Sequence, residues 1–336
     1  MLIRARAPLR ISFAGGGTDV WPYYEDRTGA VLSTTINRYA YATISARTDS
    51  IISVNSIDYD LTVSFDIEKP VVYDGQLDLA KGVANHFRAG GRLATGADID
   101  LHNDAPPGSG LGSSSALTVA LVQAIAEHVR LPMSPYEVAD AAYRIERVEV
   151  GIKGGKQDQY ACTFGGINFI EFTKDATVVN PLRIKPEIIA ELEYSLLFAY
   201  IGGVHFSSRI IEKQMDGYAA GRTEAFDGLR DLAYETKKAL LLGRLGRFGE
   251  LLDAGWQYKC RLADEISNPR IDEIYEHARR AGALGGKLSG AGGGGFMFFF
   301  CEPRRRFQVQ DALKHMGAEI VSFSFTQEGV RSWTVD

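Results

Sequence analysis

The run Pro106-Pro107-Gly108-Ser109-Gly110-Leu111-Gly112-Ser113-Ser114-Ser115-Ala116 sets three glycines and four serines between a strand-like stretch and a long apolar helix pattern. Backbone N–H groups and hydroxyls are thereby gathered at a helix N-terminus, where the macrodipole favours anions. The glycines permit positive φ and close approach of a ligand to the backbone. Their N–H groups can form a nest around phosphate oxygens. A serine hydroxyl at the helix start can bind a metal ion. The phosphates of a nucleotide with its metal suit such a place; a glycine-rich turn closed by a serine N-cap fits the same residues.

Charged residues elsewhere could complete a phosphoryl-transfer site. Glu146 and Glu149 share one face near a helix C-terminus. Two acids there oppose the macrodipole, which points to a metal or cationic partner. A solvated face balanced by Arg144 and Arg147 is the other reading. Asp158 follows Lys153 and Lys156 in the loop Gly151-Ile152-Lys153-Gly154-Gly155-Lys156-Gln157-Asp158-Gln159. A carboxylate there could orient a hydroxyl and accept its proton, or be an ordinary turn aspartate. Arg10 interrupts an apolar strand and needs a partner. The next turn, Gly15-Gly16-Gly17-Thr18-Asp19, offers Asp19, either as that partner or as a grip for substrate hydroxyls.

Other chemistries find little support. The pattern G-x-x-x-x-G-K-[ST] is absent, since Lys156 is followed by Gln157 and Lys287 by Leu288. Gly290–Gly295 matches G-x-G-x-x-G but precedes a strand instead of opening a helix, so the dinucleotide reading fails on context. Cys162, Cys260 and Cys301 are odd in number and far apart, giving neither a disulfide framework nor a metal knuckle. The six histidines lack zinc-site spacing. A net charge of −5 argues against a nucleic-acid partner. The N-terminus lacks a signal-peptide core, and the apolar run Phe296–Cys301 is too short to span a bilayer. The expectation is a cytoplasmic protein with no membrane partner.

Positioning these residues takes a substantial scaffold. With 336 residues the chain exceeds what one core usually serves, which predicts two domains. Strands are predicted over Ile3–Ala14, Gly29–Ile36, Tyr39–Ala46, Ile51–Asn55, Leu61–Phe65 and Ala97–His102. A helix covers Leu77–Arg88, and a mostly apolar one Ser115–Val129. Ser134-Pro135-Tyr136-Glu137 opens another with a capping box, and Gly151 ends it. A strand follows at Gly166–Phe172. The mixed, proline-bearing segment Lys174–Leu192 marks the boundary between domains 1–185 and 186–336. The second half runs strand Tyr194–Ile201, helices near Ser207–Met215, Thr223–Leu242, Leu245–Ile266 and Pro269–Ala281, loop Ser289–Gly295, strand Phe296–Phe300, helix Arg304–His315 and strand Ile320–Phe325. Both halves are α+β.

In order along the chain, three motifs resemble those of the GHMP small-molecule kinases. They are Ala7-Pro8-Leu9-Arg10 through Thr18-Asp19, the Pro-x-Gly-x-Gly-Leu-Gly-Ser-Ser run ending at Ser114, and Lys287-Leu288-Ser289-Gly290-Ala291-Gly292-Gly293-Gly294-Gly295. The spacing of Glu146, Gly151 and Asp158-Gln159 is similar to that of galactokinases. The resemblance implies a two-domain α+β GHMP kinase fold with the site in the inter-domain cleft. It implies ATP as phosphoryl donor, cradled by Pro107, Gly108, Ser109, Gly110, Leu111, Gly112, Ser113, Ser114 and Ser115. It makes Ser114 and Glu146 the Mg²⁺ ligands, in preference to Glu149. Asp158 becomes the catalytic carboxylate, assisted by Arg10. Asp19, with Gly16, Gly17, Thr18 and Gly292, would hold the acceptor.

Galactokinases carry Gly-Glu-His-Thr-Asp where this chain has Gly15-Gly16-Gly17-Thr18-Asp19. Losing two large side chains beside Asp19 opens the pocket. The run Ala14–Asp19 looks most like bacterial kinases acting on D-glycero-D-manno-heptose 7-phosphate, although fucokinase-like members also carry glycine-rich variants here. The implied reaction is phosphorylation of the anomeric hydroxyl to the 1,7-bisphosphate. The alternatives are L-fucose or unphosphorylated heptose as acceptor, or a sensor of the same fold without turnover. Lys153, Lys156, Arg209 and Lys213 are candidates for a distal substrate phosphate. A homodimer is compatible with such a chain.

Overall fold

Side-chain alternation in the first strand decides where the site forms. Strand β1 (Leu2–Ala14) buries every second residue up to Ala7 and is then covered on both faces. Period two sends Leu9, Ile11 and Phe13 into the hydrophobic core and Arg10 and Ser12 to the opposite face. The computed structural model describes residues 2–106, 108–203 and 207–335.

Strand β2 (Gly29–Ala46) is continuous where two strands were expected. Its partner explains this: the β1–β2 register slips between Pro8 and Leu9, where proline has no N–H for the ladder. Asn37, in the slipped stretch, turns its N–H to the Ser324 carbonyl at 2.9 Å and accepts from the Ser324 N–H at 2.8 Å. After helix α1 (Tyr23–Asp26), which precedes β2, come β3 (Ile51–Ser56), β4 (Leu61–Asp66), α2 (Asp78–Ala89) and β5 (Ala97–Asn103). Then follow α3 (Ser113–His128), α4 (Pro135–Arg144), α5 (Gln157–Phe164), β6 (Ile167–Phe172) and β7 (Thr177–Pro181). The predicted capping box of α4 is formed in full by Ser134 and Glu137.

The second half holds α6 (Pro186–Ser195), β8 (Leu196–Tyr200), α7 (Ser207–Ala219), α8 (Thr223–Leu241), α9 (Leu245–Cys260) and α10 (Pro269–Ala281). It continues with β9 (Ala283–Leu288), β10 (Phe296–Cys301), α11 (Arg306–His315) and β11 (Glu319–Ile320). These strands form a sheet in the order β11-β8-β10-β9. The first sheet runs β13-β1-β2-β5-β3-β4, with β6 and β12 also pairing β2 and β7 pairing β6. Both β12 (Phe325–Thr326) and β13 (Arg331–Val335) therefore belong to it. The closing segment, expected as one strand with the second half, returns to the first sheet, Leu2 pairing with Val335.

One apolar core runs through both halves, from Ile3 and Phe169 to Phe248 and Phe300. Phe13 sits at its centre, edge-to-face with Phe248, Phe298 and Phe325 at centroid distances of 5.2, 5.9 and 6.2 Å. Helix α3 lies across β1 and β2. It is buried on several sides, as its apolar composition predicts.

Candidate active site

Helix α3 starts two residues earlier than predicted, at Ser113, and its N-cap is Gly112 at φ +74° with no side-chain cap. The serine N-cap reading is thereby overturned, and the first-turn N–H groups of α3 are left without a capping side chain. Gly108, Gly110 and Gly112 all adopt positive φ, so alternate residues of the loop are left-handed, as in an anion nest. Gly108, Gly110, Gly112, Ser113, Ser114 and Ser115 line a cleft of about 550 Å³, within the usual range for small-molecule sites. Two expected residues of the run turn away from it. The Leu111 side chain enters the core. Ser109 is buried with an unpartnered hydroxyl while its carbonyl accepts from the Phe296 N–H. Pro107 lies outside the described residues.

The acids Glu146 and Glu149 separate. Past Arg144 the helix loosens into a π-turn over Ile145–Glu149, closed by the Val150 N–H on the Ile145 carbonyl. Glu146 turns inward and is 1% exposed. Its oxygens accept from Ser114 at 2.9 Å, Ser115 at 2.8 Å and Gln159 Nε2 at 2.6 Å, with Arg147 at 3.3 Å. Glu149 pairs instead with His86 and Arg144. Arg147 is not a surface counter-charge: its guanidinium also donates to the Ile152 and Gly155 carbonyls, fixing the glycine loop.

Asp158 was expected in that loop and stands instead in the first turn of α5. Both its oxygens are engaged by Arg10, Nε to Oδ1 at 2.8 Å and Nη2 to Oδ2 at 2.9 Å. This fork-to-fork geometry fixes the carboxylate's plane. The remaining Arg10 nitrogen donates to the Gly110 carbonyl at 2.6 Å, tying the pair to the phosphate loop. Arg10 thus finds its partner in Asp158, 148 residues away, and not in Asp19. Asp19 accepts from the Gly17 N–H at 3.1 Å and, at the start of α5, from the Gln157 N–H at 3.0 Å. Arg10, Asp19, Gly16, Gly17, Glu146 and Asp158 all line the same cleft as the serine helix.

Two expected acceptor-side residues do not. Thr18 is fully buried; its hydroxyl bridges the Gly15 and Ala30 carbonyls and accepts from the Ala30 N–H, pinning the glycine turn to β2. Gly292 packs on the backbone of Ile266, where a Cβ would lie 2.7 Å from Ile266 Cα. From that loop, Gly290 and Ala291 reach the cleft. Among the basic candidates Lys153 lines the cleft. Lys156 lies over the Tyr24 ring at 4.3 Å, and burial lowers its pKa. Arg209 and Lys213 pair with Glu265.

The sequence reading missed Lys259, which lines the cleft from the end of α9 and is 4% exposed. Its ammonium donates to the Gly290 carbonyl at 2.6 Å, and burial lowers its pKa to about 8 against the raising effect of Asp19. Lys287, on β9, is also buried, and its pKa is driven well down by desolvation with Lys259 and Arg10 adding to it. A signal existed: Phe248, Leu252, Gly255 and Trp256 form the buried stripe of α9, and Lys259 continues it.

A nest at an uncapped helix start, a buried carboxylate joined to that helix's serines and an arginine-fixed aspartate facing the same cleft define a phosphotransferase of small molecules. Comparison with known proteins agrees. The profile of the GHMP kinases N terminal domain matches residues 78–166, and that of the GHMP kinases C terminal domain matches 236–319. The D-glycero-alpha-D-manno-heptose 7-phosphate kinase of Campylobacter jejuni is 39% identical over 99% of each chain. The crystal structure of a D-glycero-D-manno-heptose 1-phosphate kinase from Bacteroides thetaiotaomicron superposes with a TM-score of 0.83 at 37% identity, covering 99% of each chain. Lactococcus lactis galactokinase complexed with galactose shares the fold, with a TM-score of 0.76 at 18% identity over 98% of this chain and 95% of that one. The chain belongs to the GHMP kinases and, as such, is an ATP-dependent phosphotransferase. Among the described residues no helix is long and apolar enough to cross a membrane.

Proposed function

We propose that this kinase transfers the γ-phosphoryl group of ATP to the anomeric hydroxyl of D-glycero-D-manno-heptose 7-phosphate, giving the 1,7-bisphosphate in the cytoplasm. The observation that carries the chemistry is the Arg10–Asp158 pair, locked to Gly110 and facing the cleft beside the start of α3. The Asp158 carboxylate orients the acceptor hydroxyl and takes its proton. Arg10 holds the carboxylate in place and puts a positive charge beside the oxygen that attacks. Asp19 faces the acceptor with lone pairs its two backbone contacts leave free. The choice of sugar is supported by the two heptose kinases, each matched over 99% of its length, and by the absence of side chains at Gly16 and Gly17, which line the cleft.

The donor set also fits Mg²⁺. Among the described residues no three His, Cys, Asp or Glu side chains converge. Mg²⁺ in kinases, however, takes one or two carboxylates and fills its shell with phosphates and water. Glu146 with the Ser114 hydroxyl provides that protein share, both lining the cleft beside the nest. Bound there, the ion supplies charge neutralisation for the nucleotide phosphates. Gln159 and Ser115 hold the carboxylate in orientation.

The test is ATP consumption with a panel comprising heptose 7-phosphate, heptose 1-phosphate, unphosphorylated heptose, L-fucose and galactose, with phosphorus NMR of each product. Preferred turnover of heptose 7-phosphate and a new phosphate on C1 is the expected result. Preference for an unphosphorylated sugar, or phosphate on another carbon, would refute it.

A further inference from the structure

We propose that Lys259 is an acceptor-binding residue of this kinase, donating to sugar oxygens through the space that Gly16 leaves free. The inference rests on the sugar-kinase reading above and adds to it a residue and a reason for the glycine run. The space at Gly16 has a definite lining. A Cβ there would lie 3.1 Å from Ser12 Oγ, 3.6 Å from Gln157 Oε1 and 3.9 Å from Lys259 Nζ. All four residues line the cleft. A side chain at position 16 would therefore stand between the ammonium and whatever enters.

The niche holds more donors than the protein uses. Nζ has three hydrogens and gives one to the Gly290 carbonyl. Asp19 and Asp158 act on it through space. Gln157 Oε1 accepts from Ser12 at 3.1 Å, while Gln157 Nε2 is buried without a partner. Desolvated donors of this kind are costly unless something accepts from them. Asp19 lines the same cleft and acts on the ammonium through space, and its carboxylate offers acceptor oxygens. A sugar hydroxyl gives one hydrogen bond and takes others, so a row of hydroxyls laid on Gly16–Gly17 would give to Asp19 and take from Lys259 and Gln157. The buried guanidinium of Arg10, which acts on the ammonium through space, favours an electron-rich ligand further.

The rival role for Lys259 is purely structural, as the tether of the Gly290 loop. Lys259→Met, Lys259→Arg and Gly16→Ala separate the two. Gly16 lies outside the left-handed region, so alanine there strains no backbone and asks only a shift of a few tenths of an ångström from Ser12 Oγ; a thermal melt of each variant checks that it is folded. Acceptor affinity is measured calorimetrically without nucleotide, using the panel sugar that the wild type phosphorylates best, and ATP affinity is measured separately. Lys259→Met is expected to weaken acceptor binding at least tenfold with ATP affinity unchanged. Lys259→Arg should recover part of the loss, and Gly16→Ala should weaken the acceptor alone. Acceptor affinity at the wild-type level in Lys259→Met, or equal losses for acceptor and ATP, would overturn the assignment. If Lys259→Met does not fold, Gly16→Ala decides, since unchanged acceptor affinity there is also fatal. A wild type that phosphorylates no sugar defeats the functional reading itself, and this inference with it.

Discussion

Replacing Asp158 by alanine separates two costs that the structure lets one size. The first is chemical. A positioned general base contributes about 10²–10⁴ in rate, or roughly 3–5 kcal/mol of barrier at about 1.4 kcal/mol per tenfold. The second is structural. Arg10 is 5% exposed and would lose both carboxylate contacts. Leaving a buried charge wholly unpaired costs about 3–5 kcal/mol. Here the Gly110 carbonyl remains on the guanidinium, and the Asp158 side chain is 21% exposed. The expected stability loss is therefore smaller, about 2–3 kcal/mol. The assay is turnover at saturating ATP and acceptor, with calorimetric ATP binding and a thermal melt on the same preparation. Turnover should fall by two to four orders of magnitude while ATP affinity holds and the melting temperature drops by several degrees. The double variant Arg10→Met/Asp158→Ala should lose little more turnover than Asp158→Ala, since the two act as a unit. Turnover near the wild-type value in folded Asp158→Ala would remove this carboxylate from the reaction.

Glu146→Gln keeps the shape of the carboxylate and removes its charge; the Mg²⁺ concentration for half-maximal activity should rise about tenfold or more, read from a metal titration. Gly112→Ala forces a left-handed alanine at φ +74° and sets its methyl 3.3 Å from the Asp158 carboxylate; it should lower stability by about 1 kcal/mol or more and turnover with it, tested by melts and kinetics together. Phe13→Ala empties the meeting point of three rings and should cost about 3–5 kcal/mol in denaturant unfolding. The fourth concerns pH. Lys259, facing Asp19, Asp158, Arg10, Lys287 and Cys260, has a folded pKa of about 8, below the 10.5 of a lysine in water. Between those values the unfolded chain binds more protons, so this group makes stability rise with pH. The melting temperature of Lys259→Met should rise less than that of wild type between pH 7.5 and 9.5.

Much of this was legible in the sequence where local chemistry decides local structure. The capping box at Ser134, the glycines before β10 and the apolar pattern of α3 each specify their own element. Asp158 was legible as a carboxylate but not as a helical one, because α5 is short and its first turn is stabilised from outside by Asp19. The partner of Arg10 was not legible either. Asp19 is nearer along the chain, and only the packing of α5 against β1 brings Asp158 under the guanidinium. Thr18 and Gly292 sit inside motifs that resemble substrate loops, yet the backbone of those loops takes their space and hydrogen bonds. The return of β13 to β1 pairs residues more than three hundred positions apart, which no window of sequence reveals. Lys259 is a different case: the apolar stripe Phe248, Leu252 and Trp256 marks the buried face of α9, but nothing local shows that this face ends at the cleft.

The ring cluster around Phe13 bears on how such a site can open. Residues from β1, α9, β10 and β12 meet there within one continuous core. The two halves are therefore not interchangeable modules: a graft joining either to a relative's other half would have to match ring against ring. A jaw-like hinge between them would also have to unpack that cluster at every turnover.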